Sequence, residues 1–224
     1  MILDVLNKFV GLPIFLASSS PRRIELLQNL GFALGQTEGV PYFLVKPSKF
    51  AENLDKANFT TPANYATATA TGKADDVLNN ELSADEKNSS YLLIACDTVV
   101  ESPEGEILEK PKNEEDAARM LRMLSNKTHR VHSGVVAFFK KSPVQNYQRY
   151  SFSETTDVSF EMIPESLILS HSKSTVDHDK AGGYAIQGRA SAFCKEIKGG
   201  SYANIVGLPI HKLGQILREI TNDL

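Results

Sequence analysis

The chain has 224 residues, 42% hydrophobic and 23% charged, which supports a buried core and excludes a disordered chain. Its 24 basic and 27 acidic side chains leave a net charge of −3, which excludes bulk attraction to nucleic acid or to a membrane surface, so any basic site is local. No apolar stretch reaches the roughly 20 residues of a membrane span, residues 1–15 lack a signal-peptide pattern, and Cys96 and Cys194 stand in no metal or redox spacing, so one soluble cytoplasmic domain over residues 1–224 is expected.

Residues 13–17 form a short apolar run that predicts a buried strand. Ser18, Ser19 and Ser20 supply a turn and an N-cap, and Pro21 suits the first position of a helix. Ile24, Leu27 and Leu30 mark its apolar face, and Gly31 ends it. Arg22 and Arg23 then fall in the first turn, where the dipole and unpaired N–H groups already make the field positive. Two cations there weaken the helix unless an anion meets them. Paired guanidinium groups, hydroxyls and a helix N-terminus together suit a phosphate chain. The plain alternative is a pair of solvated surface charges. The Gly-x-x-x-x-Gly-Lys-Ser/Thr spacing is absent, so a P-loop is excluded.

Residues 43–45 predict a second strand, and residues 47–61 a polar loop that contains Glu52. Pro62 opens an alanine-rich helix to about residue 78, which carries Lys73; residues 79–90 read as an acidic surface loop. Residues 91–100 are the clearest strand, nearly unbroken in apolar character, as in a strand covered on both faces. Asp97 interrupts that run. A carboxylate there needs a cation, a hydrogen bond or a metal, unless it merely caps a turn at the strand's end. Cys96 points to the opposite face and reads as a small core residue. Glu109-Lys110-Pro111 is an extended turn ahead of a helix that Asn113 caps and that runs to about residue 124. Lys73 and Lys110 are candidate phosphate contacts; each alone is otherwise a solvated lysine.

Residues 130–139 and 151–163 predict two strands joined around Pro143, and Pro164 opens a short helix. In residues 179–188, three glycines around Tyr184 and Gln187 allow a ligand to approach the backbone closely, and Gln187 can offer a donor and an acceptor to a base edge. An ordinary irregular turn is the alternative. Residues 191–197 and 201–206 predict a hairpin turning at Gly199-Gly200. Leu213, Ile216, Leu217 and Ile220 line one face of a final helix. No pair of the five histidines has a zinc spacing, and no Gly-x-Ser-x-Gly elbow occurs. The mixture of elements predicts an α/β fold with a mixed sheet.

Several segments together resemble, in order, the motifs of the Maf family of nucleoside-triphosphate pyrophosphatases. They are Leu16-Ala17-Ser18-Ser19-Ser20-Pro21-Arg22-Arg23, Ala95-Cys96-Asp97-Thr98-Val99-Val100, Leu108-Glu109-Lys110-Pro111, residues 179–188, Gly200-Ser201-Tyr202 and Val206-Gly207-Leu208-Pro209. The resemblance implies a twisted mixed β-sheet flanked by helices, in two lobes around a nucleotide-binding cleft, as in inosine-triphosphate pyrophosphatases. It implies metal-dependent hydrolysis of a nucleoside triphosphate to the monophosphate and pyrophosphate, a house-cleaning role in the nucleotide pool. By that resemblance Ser18, Arg22, Arg23, Lys73 and Lys110 hold the triphosphate. Asp97 and Glu52 serve Mg²⁺, or another divalent cation such as Mn²⁺, and the attacking water; with Lys73 and Lys110 they form the catalytic set. Arg23, Thr98 and Gln187 match the set carried by relatives that look like dTTP and UTP pyrophosphatases, rather than those similar to a 7-methyl-GTP pyrophosphatase. Ala51 stands where the family usually has a second acid before Glu52. The resemblance also suggests a homodimer. Two rival readings are a non-catalytic nucleotide-sensing or cell-division regulatory protein, and a phosphatase that releases orthophosphate.

Overall fold

The computed structural model describes residues 2–224. Its strands are β1 (Ile14–Leu16), β2 (Ala33–Leu34), β3 (Tyr42–Val45), β4 (Tyr91–Glu101), β5 (Ile107–Leu108), β6 (Thr128–Lys140), β7 (Gln148–Phe160) and β8 (Cys194–Lys198). Its α-helices are α1 (Pro21–Asn29), α2 (Pro62–Asp76), α3 (Ala84–Lys87), α4 (Glu114–Leu124), α5 (Glu165–Lys173), α6 (Tyr202–Val206) and α7 (Ile210–Ile220). The expected α/β architecture is the observed one: a mixed sheet in the order β2-β3-β1-β4-β6-β7-β8, with β5 added to β4 and helices on both faces. Strands β2, β3, β1 and β4 run parallel, and β4, β6, β7 and β8 alternate in direction.

The apolar run of β4 has a direct cause, because the strand is buried on both faces. Leu92, Ile94 and Cys96 join a core with Leu27 of α1, Leu121 of α4 and Leu217 of α7. Leu93 and Ala95 face the other way, onto Ala70 and Ala74 of α2. Helix α2 starts as its sequence suggests, with Thr61 accepting from the Asn64 N–H and Pro62 in the first turn. It lies tightly on β6. A Cβ on Gly134 would come within 2.3 Å of the Thr67 nitrogen, so only glycine lets the helix seat there.

The sheet is interrupted where it matters most. Pairing of β1 with β4 ends at Ile94, and pairing of β5 with β4 begins only at Val100. Between them β4 keeps β6 on one edge and, among the described residues, has no strand on the other. This bare edge lies at the carboxyl end of parallel strand β1, the usual place for ligands in such sheets.

Two expectations are corrected. Residues 201–206 are not the second arm of a hairpin; β8 pairs with β7 alone, and the chain turns at Gly199 (φ +84°) into helix α6. Ser201 caps that helix by accepting from the Asn204 N–H, so the Ser-x-x-Asn spacing outweighs the β-branched residues. Residues 79–90 are not all loop. A π-helical turn over Val77–Glu81 extends α2, and α3 follows with a reciprocal Ser83–Glu86 capping box. Among the described residues no helix is long and apolar enough to cross a membrane.

Candidate active site

A cleft of about 890 Å³ opens at the bare edge of β4. Ser18 and the first turn of α1, Glu52, Lys73, Asp97 and Thr98, Lys110, Gln187 and Gly207 all line it. Consecutive strand residues point to opposite faces. Asp97 therefore faces α2 and Thr98 faces α1, and the missing neighbour strand opens both faces to one cleft.

On the α2 side, Lys73 is buried, with its Nζ 2.7 Å from Asp97 Oδ1 and 3.1 Å from Glu52 Oε1. One ammonium thus draws two carboxylates to a single point, which answers how Asp97 survives in a buried strand. Lys110 stands at the exposed rim, 3.9 Å from Glu52 Oε2. Burial alone would raise the Glu52 pKa; the charges of Lys73 and Lys110 outweigh it and hold the carboxyl below its ordinary value. The Glu52 loop is tied down at two places. Asp76 accepts from Ser48 Oγ at 2.7 Å and from the Lys49 N–H at 2.6 Å. The Phe50 ring lies against Gly72, where a Cβ would meet it at 2.4 Å. Further along, Lys56 pairs with Glu109 at 2.8 Å, and the Tyr65 hydroxyl donates to the same carboxylate at 2.7 Å.

On the α1 side the two arginines differ. Arg23 is committed to the protein: Nε donates to the Gly207 carbonyl (2.9 Å), Nη1 to Ser18 Oγ (3.2 Å) and Nη2 to Thr98 Oγ1 (3.1 Å). Arg22 is not. Its Nε is buried without a hydrogen-bond partner among the described residues. Burial lowers its pKa, partly offset by Asp179. The helix start is also less capped than the serine run suggests. No side chain caps α1, and Ser18 Oγ accepts instead from the Ser20 N–H. A half-buried cation with a buried, unsatisfied N–H beside an uncapped helix start is an arrangement that suits an anion.

The glycine turn closes the cleft opposite α1. Gly182 and Gly183 take φ of +74° and +70°, and the Gly182 N–H donates to the Glu109 carbonyl at 3.0 Å. Asp177 braces the turn, accepting from the Ala185 N–H (3.2 Å) and lying 3.2 Å from His171 Nε2 and 3.3 Å from Lys180 Nζ. Gln187 is exposed on the cleft wall.

The donor set suits Mg²⁺. That ion is held by one or two carboxylates together with phosphate oxygens and water. Glu52 and Asp97 converge on one side of the cleft, each within ion-pair distance of Lys73 Nζ. No group of three or more His, Cys, Asp or Glu side chains converges among the described residues.

Motif reading misses Ser133 behind the site, and quotes Gly207 without giving it a part. Ser133, fully buried on β6, bonds Thr98 at 2.9 Å. The Gly207 carbonyl receives Arg23 and also the Cys96 thiol at 3.0 Å. The only signal for Ser133 is a pair of small residues, Ser133-Gly134, inside an apolar strand.

Comparison with known proteins agrees with this geometry. The family model described as "Maf-like protein" matches residues 13–220. The chain is 39% identical over 217 residues to a dTTP/UTP pyrophosphatase of Agathobacter rectalis, covering 94% of this chain and 98% of that one. It is 41% identical over 206 residues to a dTTP/UTP pyrophosphatase of Clostridium acetobutylicum, covering 90% and 94%. It is 38% identical over 209 residues to a probable bifunctional dTTP/UTP pyrophosphatase/methyltransferase protein of Homo sapiens, covering 92% of this chain but 32% of that longer one. With its sheet, its cleft and nearly its whole length accounted for, the chain belongs to the Maf-like protein family.

Proposed function

We propose that the chain hydrolyses nucleoside triphosphates, dTTP and UTP foremost, to the monophosphate and pyrophosphate. The observation that carries this reading is Lys73 gathering Asp97 and Glu52 across the cleft from the unpaired Arg22. Carboxylates placed beside a phosphate-binding cation are costly for a mere binder, because they repel the ligand; hydrolysis gives them work. The names of the bacterial relatives support the substrate.

In this reading Arg22, Lys110 and the start of α1 receive the triphosphate, while Arg23 and Ser18 present a fixed wall of N–H and O–H groups. Asp97 and Glu52 would hold Mg²⁺, or Mn²⁺, which when bound neutralises phosphate charge and polarises the reacting phosphorus. Asp97 orients the water that attacks the α-phosphorus and takes its proton. The new water–phosphorus bond forms as the bond to the bridging oxygen breaks. Pyrophosphate leaves against Arg22, Lys73 and Lys110, which stabilise its charge. Gln187 and Thr98 act on the base and its orientation. We also place the protein in the cytoplasm as a homodimer; the free Cys96 and Cys194 suit a reducing compartment, and light scattering on the purified chain tests the dimer.

The test is product analysis. The purified protein is incubated with Mg²⁺ and a panel of canonical and modified triphosphates, and pyrophosphate is separated from orthophosphate. The expected result is pyrophosphate with dTMP or UMP, and a loss of at least about a thousandfold in kcat for Asp97→Asn with the fold retained. Orthophosphate as the product, or normal turnover by Asp97→Asn, overturns the reading.

A further inference from the structure

We infer that Ser133 is a positioning residue that holds Arg23 in its working orientation through the Thr98 hydroxyl. The number of available protons fixes the direction of each hydrogen bond. Ser133 Oγ lies 3.1 Å from the Asn204 carbonyl, which can only accept, so the single Ser133 proton goes there. In the 2.9 Å contact between the two hydroxyls, Thr98 must then be the donor. With its proton committed to Ser133, Thr98 turns its lone pairs to Arg23 Nη2 at 3.1 Å. The result is a directed chain from Arg23 to Thr98 to Ser133 to the Asn204 carbonyl.

Its far end is rigid. Asn204 is fully buried, and its Nδ2 donates to the Val131 carbonyl (3.0 Å) and to Thr156 Oγ1 (2.8 Å). Ser133 is fully buried and sits directly opposite Thr98 in the β4–β6 register. The chain therefore runs from half-buried Arg23 and Thr98 at the cleft to fully buried Ser133 and Asn204 behind it.

Removal of the Ser133 hydroxyl changes what Thr98 does. Its proton then has one other acceptor nearby, the Gly207 carbonyl at 3.4 Å. That oxygen already receives Arg23 Nε and the Cys96 thiol. Thr98 would compete with Arg23 for it and would no longer point its lone pairs at Nη2. Two of the three bonds that orient the guanidinium weaken at once, though Ser133 itself lines no part of the cleft.

The inference rests on the proposed reading in placing Arg23 against substrate, and the test separates the two. First, the arginine side-chain N–H signals are followed by NMR in the protein without nucleotide. Wild type is expected to show a slowly rotating Arg23 guanidinium, and Ser133→Ala a freely rotating one. Second, dTTP hydrolysis is compared for Ser133→Ala, Arg23→Lys and the double variant. The expected result for Ser133→Ala is a rise of about fivefold in KM with kcat within about twofold, absent when Arg23 is already replaced. Thermal unfolding checks that the single variant is folded, and Ser133→Thr, which keeps the hydroxyl, should restore the NMR signature. An unchanged Arg23 signal in a folded Ser133→Ala overturns the inference. So does a KM effect that persists in the Arg23→Lys background. Absence of pyrophosphate release by wild type, with the NMR result as expected, overturns the proposed function and leaves the positioning role standing.

Discussion

Arg22 and Arg23 are neighbours in one helical turn, and they carry opposite costs. Arg23 satisfies three protein acceptors and is oriented before any ligand arrives. Arg22 leaves a buried Nε without a partner among the described residues, a cost to the free protein that the proposed anion would relieve. Replacing Arg22 with methionine is therefore expected to raise unfolding stability by about 1 kcal/mol while raising KM for dTTP at least about tenfold. Urea unfolding and steady-state kinetics on the same variant check both halves; a loss of stability would show that Arg22 is structural. Arg22 and Asp97 are legible in the sequence because each breaks a local rule, a cation at a positive helix start and a charge in a buried strand. Glu52 breaks no rule in its polar loop and Ser133 none in its strand. Only the family resemblance points to the first; for the second the sequence offers no more than the small pair Ser133-Gly134, and the fold supplies its partners.

Among the elements, α2 bears most on the proposed chemistry, because it carries Lys73 and seats on Gly134, which lies opposite Asp97 in the register. A methyl group there must push the backbone of α2 outward, since it meets backbone atoms and not a flexible side chain. Gly134→Ala is expected to cost about 2 kcal/mol of stability and to lower kcat at least about tenfold by drawing Lys73 away from Asp97. If kcat stays normal while stability falls, the Lys73–Asp97 contact is not what turnover needs. The long strands and the capped helices are legible because burial on both faces and Pro or Asn at a helix start leave clear patterns. Short elements are not. Strands β2 and β5 have two residues each and depend on their neighbours in the sheet. Helix α6 reads as a strand from Ile205 and Val206, and becomes helical because Glu154, buried on β7, accepts from both the Ser201 N–H (2.8 Å) and its hydroxyl (2.6 Å).

For the whole molecule, buried histidines set the response to acid. Burial pushes His129 down to about 3, and it stays neutral in the fold, bonded to the Tyr184 hydroxyl at 2.8 Å. A depressed histidine contributes stability that is full above its unfolded value near 6.5 and is lost as pH falls below it. From pH 7 to pH 5 the loss from His129 is about 2 kcal/mol, and His132, also lowered by burial, acts in the same direction. His171 works the other way. Its hydrogen bond to Asp177 raises it against burial, so its contribution is full below about 6.5 and fades as pH rises through the raised value. Denaturant unfolding at pH 7 and pH 5 should show a net loss for wild type, a smaller loss for His129→Gln and a larger one for His171→Gln. An equal loss in all three would remove histidine burial as the cause. None of this is legible in the sequence, where five scattered histidines offer no pattern until the fold buries His129 and His132 on β6 and His171 on α5.

The central claim is that water, directed by Asp97, attacks the α-phosphorus of a nucleoside triphosphate bound against Arg22. Turnover of dTTP in ¹⁸O-labelled water reads that atom directly by mass spectrometry of the products. The expected result is one ¹⁸O in dTMP and none in pyrophosphate. Label in pyrophosphate or orthophosphate, with dTMP unlabelled, would contradict it.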